Sequence, residues 1–407
     1  MQNQQRSQFE FVVLMAALMS IVALSIDAVL PALPEIGEFL NVSSPLENPK
    51  LITSIFLGLG IGQLIFGPLS DSFGRKPIVY VGFILFVIAS LICVTTESFE
   101  MMLFGRVLQG IGLASPRTMC IAMVRDSYEG NYMAKILSIV VMVFILVPVV
   151  APTLGQYLMN NYSWQFIFTF TLIFGVIVIL WFWLRQPETL KEKYRIPYRL
   201  TIFTTGTVQF FRVKSAVIYT LLSGFITGSF MVYLSTSQQI FENQYNLAEE
   251  FPLIFASLAI SVGLATFMNS QLVVKYGMKT IVHIAMISFI LTSIIFLLMF
   301  SGGNNPSIEV LIGFFAVQFF TIGFLFGNLR ALAMEPMGHI AGIGSALNGF
   351  ISTVMAVPIA DYIGSYIEDS VHPLFIGFLV CGTVSLILFY MESAKFKKIF
   401  TYLLIRK

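Results

Sequence analysis

Long apolar runs, separated by short polar connections, limit how this chain can fold more than any other feature. They lie at about 9–31, 50–70, 77–96, 100–124, 133–158, 163–185, 215–238, 250–273, 279–300, 307–332, 340–366 and 372–392. A helix crosses the hydrocarbon core of a bilayer in about 20 residues. Lipid offers backbone groups no hydrogen-bond partner, so runs without strand alternation must satisfy themselves as helices. The expected fold is therefore all-α, a polytopic membrane protein of 12 transmembrane helices in two six-helix, pseudo-symmetric halves. The supply of charge agrees. Only 11% of residues are charged and 57% are hydrophobic, where a soluble chain carries about 25% charge. That is too little to coat a water-facing globule. The first run is longer than a signal-peptide core, contains Asp27 and lacks a clean cleavage site, so it reads as a span.

Lys and Arg set the orientation. One side of the spans holds Arg6, Arg75, Lys76, Arg125, Lys135, Lys275 and Lys279, a cluster from Arg185 to Lys214, and a basic tail. The opposite loops hold Lys50 alone, beside Glu35, Glu38, Glu97, Glu100, Glu249, Glu250 and Glu309. The side rich in Lys and Arg is cytoplasmic, which predicts a multi-pass protein of the cell inner membrane with both termini inside. The expected organisation is an N-terminal half at 1–185, a basic cytoplasmic linker at 186–214 and a C-terminal half at 215–407. Anionic headgroups are sufficient partners for the linker charges.

The same inventory excludes several functions. A net charge of +2 does not suit a nucleic-acid partner. Cys93, Cys120 and Cys381 lie far apart in apolar runs, and His283, His339 and His372 have no ligand spacing, so neither a metal nor a cofactor is expected. The spans hold no paired catalytic carboxylates or nucleophile motif, so the chain does not read as an enzyme.

The two halves share a short repeat. L-S-D-S-F-G-R-K-P-I-V at 69–79 aligns with L-V-V-K-Y-G-M-K-T-I-V at 272–282, matching Gly74 with Gly277 and Lys76 with Lys279. Each copy joins the second and third spans of its half. Duplicated halves around a central site are a transporter architecture. In the first copy Gly67 permits close helix contact, Gly74 permits a tight turn, and Asp71 can form a charge-assisted pair with Arg75 that holds one conformation and breaks in another. Val274 stands where Asp71 would be in the second copy, so that side is expected to gate weakly or by packing alone.

The stretch at 67–76 resembles the G-x-L-x-D-x-x-G-R-K signature of the major facilitator superfamily. Further stretches resemble its Bcr/CflA-type subgroup of proton-coupled drug exporters. These are D-A-V-L-P-A-L-P at 27–34, R-V-L-Q-G at 106–110, Arg125-Asp126, A-P-T-L-G at 151–155, Pro187-Glu188-Thr189 and A-M-E-P at 333–336. The resemblance implies a fourth-span Arg106 that faces the substrate cavity, an antiporter motif at Pro148, Pro152 and Gly155, and a cytoplasmic latch in which Arg125 and Asp126 join the hairpin. Gln156 and the additional Arg117 depart from the pattern.

Asp27 is the expected proton carrier, because ionisable groups within spans are costly and usually functional. Asp27 and Arg106 reach similar depth at about 1.5 Å per residue, so they meet if their helices are neighbours. An interfacial position for Asp27 is the competing reading. Gln63, Gln109 and Arg117 are the expected substrate contacts. Arg106 and Gln109 share one helix face. If Arg117 also faces the cavity, the surplus positive charge favours an anionic or zwitterionic substrate. Arg117 also fits a position snorkelled to the headgroups. Asp361 and Glu335 are lesser proton candidates. Gln318, Asn328 and Asn348 either line the cavity or bond between helices.

The expected function is proton-coupled efflux of a drug-like molecule, with the bilayer, protons and a small-molecule substrate as partners and a monomer as the unit. Export of an anionic metabolite such as a carboxylate siderophore is the alternative, and proton-symport uptake is the third reading.

Overall fold

A computed structural model describes residues 7–128, 130–195 and 200–392, and among these no residue is in a strand. The helices are α1 (Gln8–Asp27), α2 (Leu33–Phe39), α3 (Lys50–Phe73), α4 (Arg75–Thr95), α5 (Phe99–Ser127), α6 (Gly130–Asn161), α7 (Trp164–Arg185), α8 (Leu200–Arg212), α9 (Lys214–Gln239), α10 (Phe251–Tyr276), α11 (Met278–Met299), α12 (Ile308–Met334), α13 (Ala341–Gly364) and α14 (His372–Glu392). Eleven apolar stretches among the described residues are long enough to cross a bilayer. The 32-residue α6 covers the expected run at 133–158.

Helix boundaries follow the apolar runs closely except at the first. α1 stops at Asp27, a 3-10 turn covers Leu30–Ala32, and the short α2 follows. Pro31 explains the stop. It occupies the position whose N–H would donate to the Asp27 carbonyl, and proline has no N–H to give. Two helices have no counterpart among the apolar runs: α2, and α8 within the basic linker.

The surface carries the mark of its solvent. Val81, Ile84, Ile88 and Leu91 of α4 are each 46–60% exposed. Their spacing makes one lipid-length stripe. Ile173, Ile177, Leu180 and Leu184 make another on α7. Apolar stripes of this extent mark a surface that meets lipid or a partner, and in spans of this length lipid meets it.

The chain forms two compact units, one of residues through 200 together with 248–256, the other of 201–247 with 257 onward. In the first unit α5 is the packing centre. A Cβ at Gly58 of α3 would lie 1.9 Å from the Val107 carbonyl, and one at Gly110 of α5 would lie 2.0 Å from the Ile55 carbonyl. Without side chains at these positions the two backbones touch, the small-residue contact by which helices associate in lipid. Ser115 of α5 donates to the Ile78 carbonyl of α4 at 2.7 Å. In the second unit Gly224 and Gly228 of α9 lie against Met355 and Ile359 of α13, and Asn348 of α13 donates to Thr220 of α9 at 2.8 Å.

Gly110→Ala should lower the thermal midpoint of the detergent-purified protein by the equivalent of about 1–3 kcal/mol, the usual cost of overpacking. Gly313→Ala, where a Cβ meets nothing within 4 Å, should leave the midpoint unchanged or slightly raised. Equal losses at both positions would show that the α3–α5 contact is not close.

Candidate functional site: a latched hairpin and a buried acid

Gly74 adopts φ 99°, which side chains disfavour, and so turns α3 into α4 within one residue. The turn leaves the first N–H groups of α4 without helical partners. Glu188, just past α7, accepts from the Arg75 N–H at 3.1 Å and from the Lys76 N–H at 3.0 Å. A Cβ at Gly74 would sit 2.7 Å from its carboxylate. Glycine is therefore required twice, by the dihedral and by the cap.

Arg75 ties the ends together. Its Nη1 donates to Asp71 Oδ1 and to Ser70 Oγ, each at 2.6 Å, and its Nε donates to Asp126 Oδ2 at 3.0 Å. Thr189 Oγ1 donates to the same Asp126 oxygen at 2.9 Å, and Lys76 Nζ donates to the Trp183 carbonyl at 3.1 Å. The Arg75 side chain is only 10% exposed, so desolvation is substantial, and two carboxylates and a hydroxyl offset it. The expected Asp71–Arg75 pair and Asp126 come together. Gly67 contributes its carbonyl, which accepts from Ser70 Oγ at 2.8 Å. Arg125 is exposed and outside this network. Glu188 and Thr189 are the residues whose roles the sequence reading missed. The signal was the Pro187-Glu188-Thr189 stretch itself.

The second hairpin turns the same way, at Gly277 with φ 77°. The acid missing from it comes from another helix. Glu392, the last residue of α14, lies 3.5 Å from Lys279 Nζ and accepts from the Tyr219 hydroxyl at 2.7 Å. Of the two alternatives drawn from Val274, packing alone does not describe this hairpin, because an ion pair is present, and a weak tie does. Lys279 is 58% exposed, and such a surface pair contributes about 0–1 kcal/mol. The latch of the second unit is the weaker one.

Asp27 is 5% exposed at the end of α1. Among the described residues it has neither an ion pair nor a side-chain hydrogen bond. Arg106 does approach α1, as expected from depth, but its guanidinium does not pair with Asp27. Nη1 donates to the Ser25 carbonyl at 2.9 Å and to Gln109 Oε1 at 2.7 Å, and Nε donates to the Leu51 carbonyl at 3.0 Å. The ring of Phe168 lies 5.6 Å from the guanidinium carbon. Arg106 is fully buried, and among the described residues its Nη2 has no hydrogen-bond partner. The carbonyls outcompeted the carboxylate because α1 ends at Asp27 and presents Ser25 to α5.

On the other flank stands Gly155 of α6. A Cβ there would lie 1.9 Å from the carbonyl oxygen of Ala28. The motif glycine is thus in backbone contact beside the acid. Pro148 and Pro152 lie within the same helix, Pro152 buried and Pro148 half-buried.

Gln109 is spent inside the bundle, donating to Ser90 Oγ of α4 at 3.0 Å. Gln63 is buried with no hydrogen-bond partner among the described residues, and Arg117 is half-buried after Pro116. A groove of about 550 Å³ runs along α1, lined by Phe9, Val12, Val13, Ala16, Ile139 and Phe174, with Gln8 and Ser20 as its polar members. None of the expected residues lines it. Gln318, Asn328 and Asn348 each bond to a neighbouring helix, Gln318 to Ser293 at 3.0 Å and Asn328 to Asn269 at 2.7 Å. Glu335 is exposed, and Asp361 is half-buried.

Two glycine-turned hairpins at corresponding places in two helical units are the architecture of a known family. The profile of the Major Facilitator Superfamily matches residues 15–360. The chain belongs to the major facilitator superfamily. It is a polytopic membrane transporter of small molecules, not an enzyme. It is 27% identical to a bicyclomycin resistance protein homolog of Haemophilus influenzae, over 97% of this chain and 98% of that one. It is 25% identical to a chloramphenicol resistance protein of Pseudomonas aeruginosa, over 89% of this chain and 86% of that one. Among solved structures a D-xylose–proton symporter matches with a TM-score of 0.69 over 93% of this chain and 97% of that chain, at 14% identity, a likeness of fold. These relatives agree with the Bcr/CflA-type resemblance and with a role in efflux.

Glu188→Ala should cost about 0.5–2 kcal/mol, the range for losing a helix N-cap, measured by thermal denaturation in detergent. Arg125→Ala should stay within about 0.5 kcal/mol of the parent. The reverse order would overturn the assignment of the cap.

Proposed function

We propose that this transporter exports a drug-like small molecule from the cytoplasm in exchange for protons. The observation that carries the reading is Asp27, a carboxyl buried in the first span with no ion pair or hydrogen bond among the described residues. An acid so placed either holds a proton or needs a donor, because an unpaired ionised carboxylate in apolar surroundings is costly. A donor distant in sequence is held next to the same stretch of α1. Arg106 is pinned to Ser25, two residues away, and keeps Nη2 unsatisfied.

In the proposed cycle Asp27 takes a proton from the outer side. Loss of that proton to the cytoplasmic side turns the carboxyl into an anion that recruits Arg106 Nη2. The two protonation states then favour different packings of α1, α5 and α6, and substrate binding competes with one of them. The latch around Arg75 holds the cytoplasmic ends of α3, α4 and α5 in one state and opens in the other. Alternating exposure of Asp27, not a fixed pore, moves the cargo. The protein acts as a monomer in the inner membrane with both termini in the cytoplasm.

The relatives named for bicyclomycin and chloramphenicol resistance support antibiotic-like cargo. Export of an anionic metabolite remains the second reading, because Arg117 places a further cation within α5.

Purified protein in liposomes, with a trapped pH dye, should move protons against added bicyclomycin or chloramphenicol. Asp27→Asn should reduce that flux to the level of protein-free liposomes while keeping the parent's melting profile. Undiminished exchange by the variant would remove Asp27 from the mechanism.

A further inference from the structure

The basic linker contains α8, a helix of 13 residues. At about 1.5 Å per residue it is too short to span a bilayer. It has three kinds of face. Gly206 and Phe210, one turn apart, are buried, and a Cβ at Gly206 would lie 2.6 Å from Ile343 Cδ1 of α13. That face is docked on the protein. Thr205, Gln209 and Arg212, spaced by one turn each, form a polar flank. Val208 and Phe211 lie on a third face and are 50% and 55% exposed. Among the described residues no packing covers this second apolar face, and it would be unfavourable in water.

Charge identifies what covers it. From Lys193 through Lys214 the sequence has five basic residues and no acidic one, and the next acid is Glu242. Arg212 and Lys214 are exposed beside Phe211. An apolar face flanked by cations is the pattern of a helix lying in the interfacial plane of an anionic membrane. We propose that α8 is such a helix, with Val208 and Phe211 inserted at the level of the upper acyl chains and Arg212 and Lys214 on the phosphates of anionic lipid. The inference uses the orientation in which the linker is cytoplasmic, but not the identity of the cargo or the role of Asp27. Because α8 rests on Ile343 and runs through Val213 into α9, the lipid contact anchors the cytoplasmic ends of α9 and α13.

The experiment places a nitroxide at Val208→Cys or at Thr205→Cys in the full-length protein; the three native cysteines are buried. The protein is reconstituted in phosphatidylethanolamine with phosphatidylglycerol, or in phosphatidylcholine alone. In the anionic vesicles the label at 208 should be relaxed by dissolved oxygen and shielded from a water-soluble nickel chelate, and the label at 205 should show the opposite preference. In phosphatidylcholine the shielding at 208 should weaken. Adding Arg212→Gln and Lys214→Gln to Val208→Cys should weaken it in the anionic vesicles too, with an unchanged melting profile. A label at 208 as open to the chelate as the label at 205 would overturn the proposal. Equal shielding in both lipids, or shielding that survives loss of both cations, would overturn the assignment to anionic headgroups.

Discussion

Hydrocarbon cannot hydrogen-bond, and every polar group carried into it must find its partner within the protein. That constraint makes the described spans helical and explains where their side-chain polar groups go. Ser115 reaches the Ile78 carbonyl, Gln109 reaches Ser90, and Asn348 reaches Thr220. Some groups are left over, among them the hydroxyls of Ser25 and Tyr80. The carboxyl of Asp27, the amide of Gln63 and one nitrogen of Arg106 are buried in the first unit without hydrogen-bond partners among the described residues.

The spans were legible because one signal, apolar length, decides their existence and, except at the first, most of their ends. The Asp71–Arg75 pair was legible because an acid and a base four residues apart on a glycine-turned hairpin lie within reach of each other. What escaped the sequence came from contacts that no spacing encodes. Glu188 caps a helix more than a hundred positions away. Glu392 reaches the second hairpin from the far end of the chain. The meeting of Asp27 with Arg106 was a reasonable inference from depth. Depth fixes height, however, and not which group on α1 faces α5. Pro31 ends α1 at Asp27, and the Ser25 carbonyl receives the guanidinium instead.

The internal repeat runs deeper in structure than in sequence. Gly74 and Gly277 share a backbone conformation, Lys76 and Lys279 follow them, and Glu188 and Glu392 stand at nearly the same offset. The two copies have diverged in strength. One has a nearly buried guanidinium with two carboxylates, and the other an exposed ammonium with one.

Gly155 and Ala28 leave no clearance between α6 and the segment that follows Asp27. Parts in hard contact transmit displacement without lost motion. A Cβ at position 155 would fit only if α6 or the Ala28 carbonyl moved away, so the glycine sets how near α6 stands to the segment that follows the acid. A single absent methyl group thus decides how close two backbones come at the end of the first span.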